Sequence, residues 1–299
     1  MSKTGQEKVR QIITDRIIEQ LKNGVVPWRK PWVGVGGSWN RRNGKQYSFI
    51  NQMLLDDVGE YATFKCIKND GGKVNKGAKG SYVLEWFFTE YTKEDEDGNT
   101  ICDEKNGEPV KFRRWHMRYE KVFNIEKDTD LEPKYNKDSR ELYDGEPIEV
   151  AENCFMNYIN SQNIKLVHDE DAIAYYSPTK DMIHLPNKNQ FKVMEEYYST
   201  AFHESAHSTG HNSRLDRIEP ATFGSKAYGK EELVAELTSA AVCNTLGIEI
   251  DSTFENSASY IDNWVKAIKG GDADIISASA YADKAYAMIL EGFQYENIA

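Results

Sequence analysis

Phe202-His203-Glu204-Ser205-Ala206-His207 places two histidines four residues apart, with a glutamate directly after the first. No other stretch restricts the chain as tightly. On an α-helix, residues four apart lie one above the other on one face. His203 and His207 can therefore offer two imidazole nitrogens to one metal ion, as Zn²⁺ prefers. Glu204 stands beside that face and can serve as general base toward a water at the metal. Phe191, Met194, Tyr197, Tyr198, Ala201 and Phe202 recur at three and four, which predicts a helix with one packed side. The bland alternative is a solvated helix with a chance spacing. Histidine is scarce, six in 299 residues, so two of them bracketing a glutamate in helical register argue for a metal site.

Such a centre needs a third protein ligand and keeps one position open. The segment Lys230-Glu231-Glu232-Leu233-Val234-Ala235-Glu236-Leu237 supplies the candidates. Leu233, Val234, Leu237, Ala240 and Ala241 form a helical apolar stripe, and Gly247 is a natural stop. Glu232 and Glu236 share a face, so Glu232 is expected on the metal and Glu236 behind a histidine, on its far nitrogen. The reverse assignment, with Glu236 as ligand and Glu232 as helper, stays open. Glu231 is expected to point elsewhere, into solvent. His211 is a rival ligand, but it follows His207 by four residues rather than the six of the metzincin pattern, and Gly210 can end the helix first. Tyr228 and Arg214 lie near enough in sequence to be candidates for stabilising an oxyanion.

The net charge of −11 conceals an asymmetry. Residues 1–90 hold 15 Lys and Arg against 9 Asp and Glu, a balance of +6, and the remainder holds 22 against 39, a balance of −17. A basic front and an acidic back suggest two modules with different partners. No apolar run reaches the roughly 18–20 residues of a membrane span. The first residues lack the apolar core of a signal peptide, so a cytoplasmic protein is expected. Cys66, Cys102, Cys154 and Cys243 are isolated, which argues against a disulfide framework and against a cysteine metal site.

Along the chain, residues 6–23 read as an amphipathic helix and 49–58 as a second one. Asn43-Gly44 marks a turn. Residues 82–88 and 111–124 read as strands, and the acidic 90–108 as an exposed hairpin tip without chemistry. The charged, apolar-poor stretch 127–147 marks a boundary. A helix near 148–162 then precedes three short strands, 164–167, 172–176 and 182–185. A small antiparallel sheet ahead of a His-Glu-x-x-His helix is the zincin layout, and its edge can pair with an extended peptide. Residues 258–292 read as packing helices.

The front module interleaves basic and aromatic residues: Trp28, Arg29, Lys30, Trp32, Arg41, Arg42, Lys45, Tyr47, Lys65, Lys73, Lys76 and Lys79. Cations neutralise phosphates and aromatic faces stack on unpaired bases, a combination suited to single-stranded nucleic acid without sequence preference. Glycines among the lysines of 71–80 let backbone N–H groups approach phosphates. The competing reading makes the tryptophans core residues and the lysines a solubilising face.

The ordered series Pro27-Trp28-Arg29-Lys30-Pro31-Trp32, Gly44-Lys45-Gln46-Tyr47, Asn51, Thr63-Phe64-Lys65, Gly71-Gly72-Lys73-Val74, Lys76-Gly77, Lys79-Gly80 and Val122-Phe123-Asn124 resembles the ArdC-type antirestriction family of plasmids and phages. The resemblance continues through Tyr175-Tyr176-Ser177-Pro178, Asp181-Met182-Ile183, Glu196-Tyr197-Tyr198, His203-Glu204 with His207, Thr209-Gly210-His211, Arg214-Leu215-Asp216-Arg217 and Glu231-Glu232-Leu233-Val234-Ala235-Glu236. It implies an α+β chain: a single-stranded-DNA-binding domain over 1–130, a linker over 131–147, and a mostly helical zincin-like domain with a small antiparallel sheet over 148–299. DNA contact would fall in 28–80 and metal on His203, His207 and Glu232. Asn75, Ala78, Cys66 and Ser208 depart from the usual Arg, Glu, Gln and Trp, and Ser208 is expected to reshape the cleft.

The leading expectation is an antirestriction-type protein of a mobile genetic element that coats single-stranded DNA. It would also carry a zinc metallopeptidase-like site of the gluzincin kind, holding Zn²⁺ or alternatively Mn²⁺, able to cleave a host protein. The alternative is a non-catalytic DNA-coating or partner-masking protein with a structural metal. A third reading is a peptidase that cleaves a repressor.

Overall fold

The structure, a computed structural model, describes residues 5–23, 25–29, 37–95, 99–103, 106–135, 147–218, 225–248, 258–270 and 274–293. In the first half, helix α1 (Gly5–Lys22) buries Ile13, Ile17, Ile18 and Leu21 along one side, as its apolar spacing predicts. Helix α2 (Phe49–Leu54) is shorter than the expected 49–58 and is buried throughout. The Asn51 amide grips strand β3 (Ser81–Thr92), donating to Leu84 O at 2.9 Å and accepting from Leu84 N at 2.7 Å.

Strands β1 (Trp39–Asn40), β2 (Glu60–Thr63), β3 and β4 (Lys111–Asn124) form a sheet in the order β1-β2-β4-β3. Burial concentrates at the start of β3 and the end of β4. Their antiparallel register then runs on from Ser81↔Val122 to Thr92↔Lys111, so the outer part is a two-stranded ribbon. It reaches further than the expected 82–88. Short helices α3 (Phe64–Asn69) and α4 (Ile125–Asp128) start at Thr63 and Asn124, whose side chains accept the first free N–H groups.

In the second half, helix α5 (Pro147–Ser161) precedes strands β5 (Lys165–Asp169), β6 (Tyr175–Ser177) and β7 (Met182–Pro186). The expectation of an antiparallel sheet needs correction. The order is β5-β7-β6, with β6 antiparallel to β7 but β5 parallel to it. The turn at 178–181 makes a hairpin of β6 and β7, which leaves β5 only the far side of β7. Helices α6 (Met194–Thr209), α7 (Lys226–Thr245), α8 (Ala258–Gly270) and α9 (Ile275–Ile289) complete the α+β fold.

One apolar core joins the halves: Ile13, Ile17 and Leu21 of α1 and Met53 of α2 cluster with Leu233 and Leu237 of α7, Ile268 of α8 and Ile276 of α9. A second core lies between α5, the small sheet, α6 and α7. None of the described helices is long and apolar enough to cross a membrane.

A polar contact also crosses the junction. Ser48 makes no side-chain cap for α2, and Asp283 of α9 takes over, accepting from Phe49 N at 3.1 Å. Burial pushes the Asp283 carboxyl from 3.8 up to about 6, with the Phe49 bond opposing. The folded chain therefore binds this proton more tightly than the unfolded one. The resulting stabilisation is complete below about pH 4 and is lost as pH rises through about 6. Asp283→Asn keeps an acceptor for Phe49 N without the buried charge. It is expected to raise stability by about 1–2 kcal/mol at pH 8 and to flatten the profile between pH 4 and 6. Urea melts at four pH values check both; a variant less stable at pH 8 with an unchanged profile contradicts the assignment.

Candidate metal centre and nucleic-acid interface

Helix α6 packs Tyr197, Tyr198, Ala201, Phe202 and Ala206 into the second core, which turns His203 and His207 toward α7. Their Nε2 atoms lie 3.2 Å apart. Glu232 of α7 faces both, one carboxylate oxygen 3.6 Å from His203 Nε2 and the other 3.6 Å from His207 Nε2. Ligands bound at about 2.0–2.1 Å in tetrahedral geometry sit about 3.3 Å from one another. The two imidazoles and the Glu232 carboxylate, one atom from each within 4.8 Å of the others, therefore close on a space that suits a single cation. Among the described residues no other three His, Cys, Asp or Glu side chains converge this way.

A carboxylate hydrogen-bonds the other nitrogen of His207, and a second one stands near that of His203 without reaching hydrogen-bond distance. Glu236 Oε2 is 3.9 Å from His203 Nδ1, and Glu231 Oε1 is 3.2 Å from His207 Nδ1. Such partners orient the rings with Nε2 inward. Burial works against a charged His203, yet Glu232, Glu204 and Glu236 outweigh it and lift its pKa to about 9. For Glu232, burial is outweighed by His203, His207 and Tyr228, and its carboxyl is held below the usual range. Two imidazoles and two or three carboxylates in this space call for a cation, a proton or a metal ion.

Glu231 corrects the sequence reading. It is not solvated: its two oxygens meet Arg217, with Nη2 at 2.8 Å and Nε at 2.9 Å. Burial raises the Glu231 carboxyl, but His207 and Arg217 hold it below the usual range. Sequence spacing set Glu231 aside because it is turned about 100° from Glu232 on the helix. The Nδ1 of His207 points sideways, and that is where Glu231 stands. Arg217 also donates to Ala206 O at 2.5 Å and Thr209 Oγ1 at 2.6 Å, fastening the end of α6. The chain can turn back there because Gly210 leaves room: a Cβ would lie 2.6 Å from Ile218 Cγ1. The Arg214-Leu215-Asp216-Arg217 run carried this signal without revealing which arginine did what.

Tyr228, in the first turn of α7, hydrogen-bonds through its hydroxyl to Glu232. Burial, then the Glu232 and Glu204 charges, push it up to about 12, so it stays a donor at neutral pH. Glu204 is buried beside His203. Arg214 needs correction as an oxyanion candidate. Its Nε donates to Ser208 O at 2.7 Å, and its two Nη atoms go to Asp181 and Tyr176, so its donors are spent holding α6 to the small sheet. His211 bonds Ser213 instead of joining the cluster. Ser208 is fully buried, sharing a 2.8 Å bond with Tyr158, and does not face the cleft.

Three of the expected DNA contacts are structural. Trp28 is fully buried and meets Trp264 edge-on with centroids 5.9 Å apart, so it cannot stack on a base. Arg41 is buried between Glu60 and Asp70, both of which it binds. Tyr47 packs on Leu55, Tyr61, Val83 and Val122 with its hydroxyl buried. Arg42, Lys45, Lys65, Lys73, Lys76 and Lys79 are exposed. Lys30, Trp32 and the side chain of Arg29 lie outside the described residues. Phe64, 59 % exposed at the start of α3 beside Lys65, adds an open ring there that residue type alone does not single out.

Two family descriptions match, the N-terminal domain of anti-restriction factor ArdC over residues 7–123 and a zincin-like metallopeptidase over residues 154–281. The metal-free crystal structure of the antirestriction ArdC protein from the R388 plasmid has a TM-score of 0.68 at 32% identity, covering 94% of this chain and 96% of that one. The Mn(II)-bound structure of the R388 protein gives 0.67 at 31%, covering 97% and 99%. The DNA primase TraC of Escherichia coli is 37% identical over 291 residues, 93% of this chain. This chain spans only 26% of that primase and 20% of a second TraC primase from Escherichia coli. Protein y4eC of Sinorhizobium fredii (strain NBRC 101917 / NGR234) is 28% identical over 91% of this chain and 88% of its own length. Fold and site together define an α+β protein whose second half is a zincin-like metallopeptidase domain with a place for a divalent metal. The chain belongs to the ArdC antirestriction family.

Proposed function

We propose that this protein binds single-stranded DNA without sequence preference through residues 1–130 and hydrolyses a peptide bond of a host protein at His203, His207 and Glu232. The single observation that carries the second part is the convergence of those three side chains, with Glu204 beside them. Zn²⁺ suits two imidazoles and a carboxylate, and Mn²⁺, present in the R388 relative, is the alternative. A cation held there supplies Lewis-acid polarisation of a substrate carbonyl. Glu204 takes the proton of the attacking water and returns it to the leaving amine. Tyr228, protonated at neutral pH, donates toward the developing oxyanion. Glu231 and Glu236 keep the two rings aimed. The working place is the cytoplasm of a cell that a mobile element enters.

A structural metal is the weaker reading for this chain, because the R388 relative keeps this fold in its metal-free form. Incubating the metal-loaded protein with a peptide library tests the peptidase reading directly; no cleavage under any divalent metal contradicts it.

The DNA part predicts a salt effect. Each lysine on a phosphate of a single strand contributes about 0.7 to the slope of log affinity against log salt. Replacing Lys73, Lys76 and Lys79 together by Gln is expected to lower that slope by about 2, with single-strand preference over duplex retained. An unchanged slope removes the lysine-glycine turn from the interface.

A further inference from the structure

We infer that the outer part of the β3–β4 ribbon is the stacking platform for single-stranded nucleic acid, a location that rests on the strand-binding reading above. Trp86 and Phe88 alternate onto one face of β3, and Trp115 stands opposite Phe88 on β4. They are 47 %, 43 % and 54 % exposed, unlike Trp28 and Trp39, which the core takes up. Same-face neighbours on a strand are about 6.6 Å apart, a separation that a stretched single strand can match with a base at each ring. Arg113 lies over Phe88, 4.4 Å from its centroid. The opposite face repeats the pattern, with Phe87 stacked on His116 and Tyr91 on Phe112.

Charge decides what covers these rings. The two strands carry three acidic and five basic residues. All three acids are already paired, Glu85 and Glu120 with Arg118 and Glu90 with Arg113. Lys111, Arg114 and Lys121 have no carboxylate partner among the described residues. Exposed rings interleaved with unneutralised cations match a phosphate backbone with unpaired bases. Ser81, where β3 begins, directly follows the lysine-glycine turn, so the phosphate-binding lysines and the rings form consecutive parts of one chain path. Sequence pattern alone hid this, because alternating aromatics read equally well as a buried strand.

The experiment titrates the full chain with oligothymidylate at two salt concentrations, following tryptophan emission and affinity together. The wild type is expected to be quenched on binding. W86A/W115A is expected to bind at least about 25-fold more weakly, given about fivefold or more for each lost stack. W86F/W115F, which keeps two rings, is expected to stay within about threefold of the wild-type affinity while losing most of the quenching; it also decides the matter if the alanine pair does not fold. Wild-type affinity in W86A/W115A overturns the ribbon and leaves the strand-binding reading standing. So does a variant that binds oligothymidylate normally but loses self-association in sedimentation, which would give the arm to a second copy. A wild-type chain that binds duplex as tightly as single strand overturns stacking, and one that binds no oligonucleotide at low salt overturns both readings.

Discussion

Glu204→Gln is expected to slow peptide hydrolysis by about 10²–10⁴-fold, the usual contribution of a positioned general base, and to leave cation binding unchanged. The reason is placement. Glu204 neighbours His203 in the helix but is not one of the three converging ligands; it is buried, and its charge is felt by both His203 and Tyr228. Glutamine has the same shape and cannot take a proton. The variant should therefore bind metal with wild-type stoichiometry, bind oligonucleotides normally, and fail to turn over any substrate that the wild type cleaves. Calorimetric metal titration and a peptide-cleavage time course on the same sample separate these outcomes. Full-rate cleavage by Glu204→Gln contradicts the mechanism; loss of metal with loss of rate would make Glu204 a ligand instead.

Arg217→Met is expected to have the largest effect on stability, about 3–5 kcal/mol, the range for breaking a buried pair by removing one partner. The Arg217 side chain is only 3% exposed. Its loss strands the Glu231 carboxylate, and it releases Ala206 O and Thr209 Oγ1 at the end of α6. Glu231 also orients His207, so metal affinity should fall about 10–100-fold, as for other residues that hold a ligating histidine. Adding Glu231→Gln removes the stranded charge. The double variant should recover part of the stability and none of the metal affinity. A single-variant loss below about 1 kcal/mol by urea melts would mean the pair behaves as a solvated one.

What the sequence makes legible ends where local rules end. His203, Glu204 and His207 were legible because helix geometry alone puts i and i+4 on one face. Glu232 was legible as part of a second helix with the right period, although choosing it over Glu236 took the tertiary placement of α7 against α6. Glu231 was misread because helical facing counts only one direction of approach, and an imidazole has two nitrogens pointing different ways. Arg214 and Arg217, three residues apart, differ completely in role: one ties α6 to the small sheet, the other holds Glu231. That depends on a loop folded back over Gly210, which no periodicity encodes. In the first half, Trp28, Arg41 and Tyr47 have the composition of a nucleic-acid surface and the burial of a core. Residue type cannot distinguish these, because stacking on a base and packing against a neighbour call for the same ring. The parallel pairing of β5 with β7 was equally out of reach, since three short strands in a row carry no record of their order.

Anomalous scattering from crystals grown with Zn²⁺ locates the cation in the folded chain. One peak is expected, within about 2.0–2.2 Å of His203 Nε2, His207 Nε2 and a Glu232 oxygen, with a fourth side of the ion open to solvent. A peak held by other residues, an ion closed off by a fourth protein ligand, or no peak at this triangle would contradict the account.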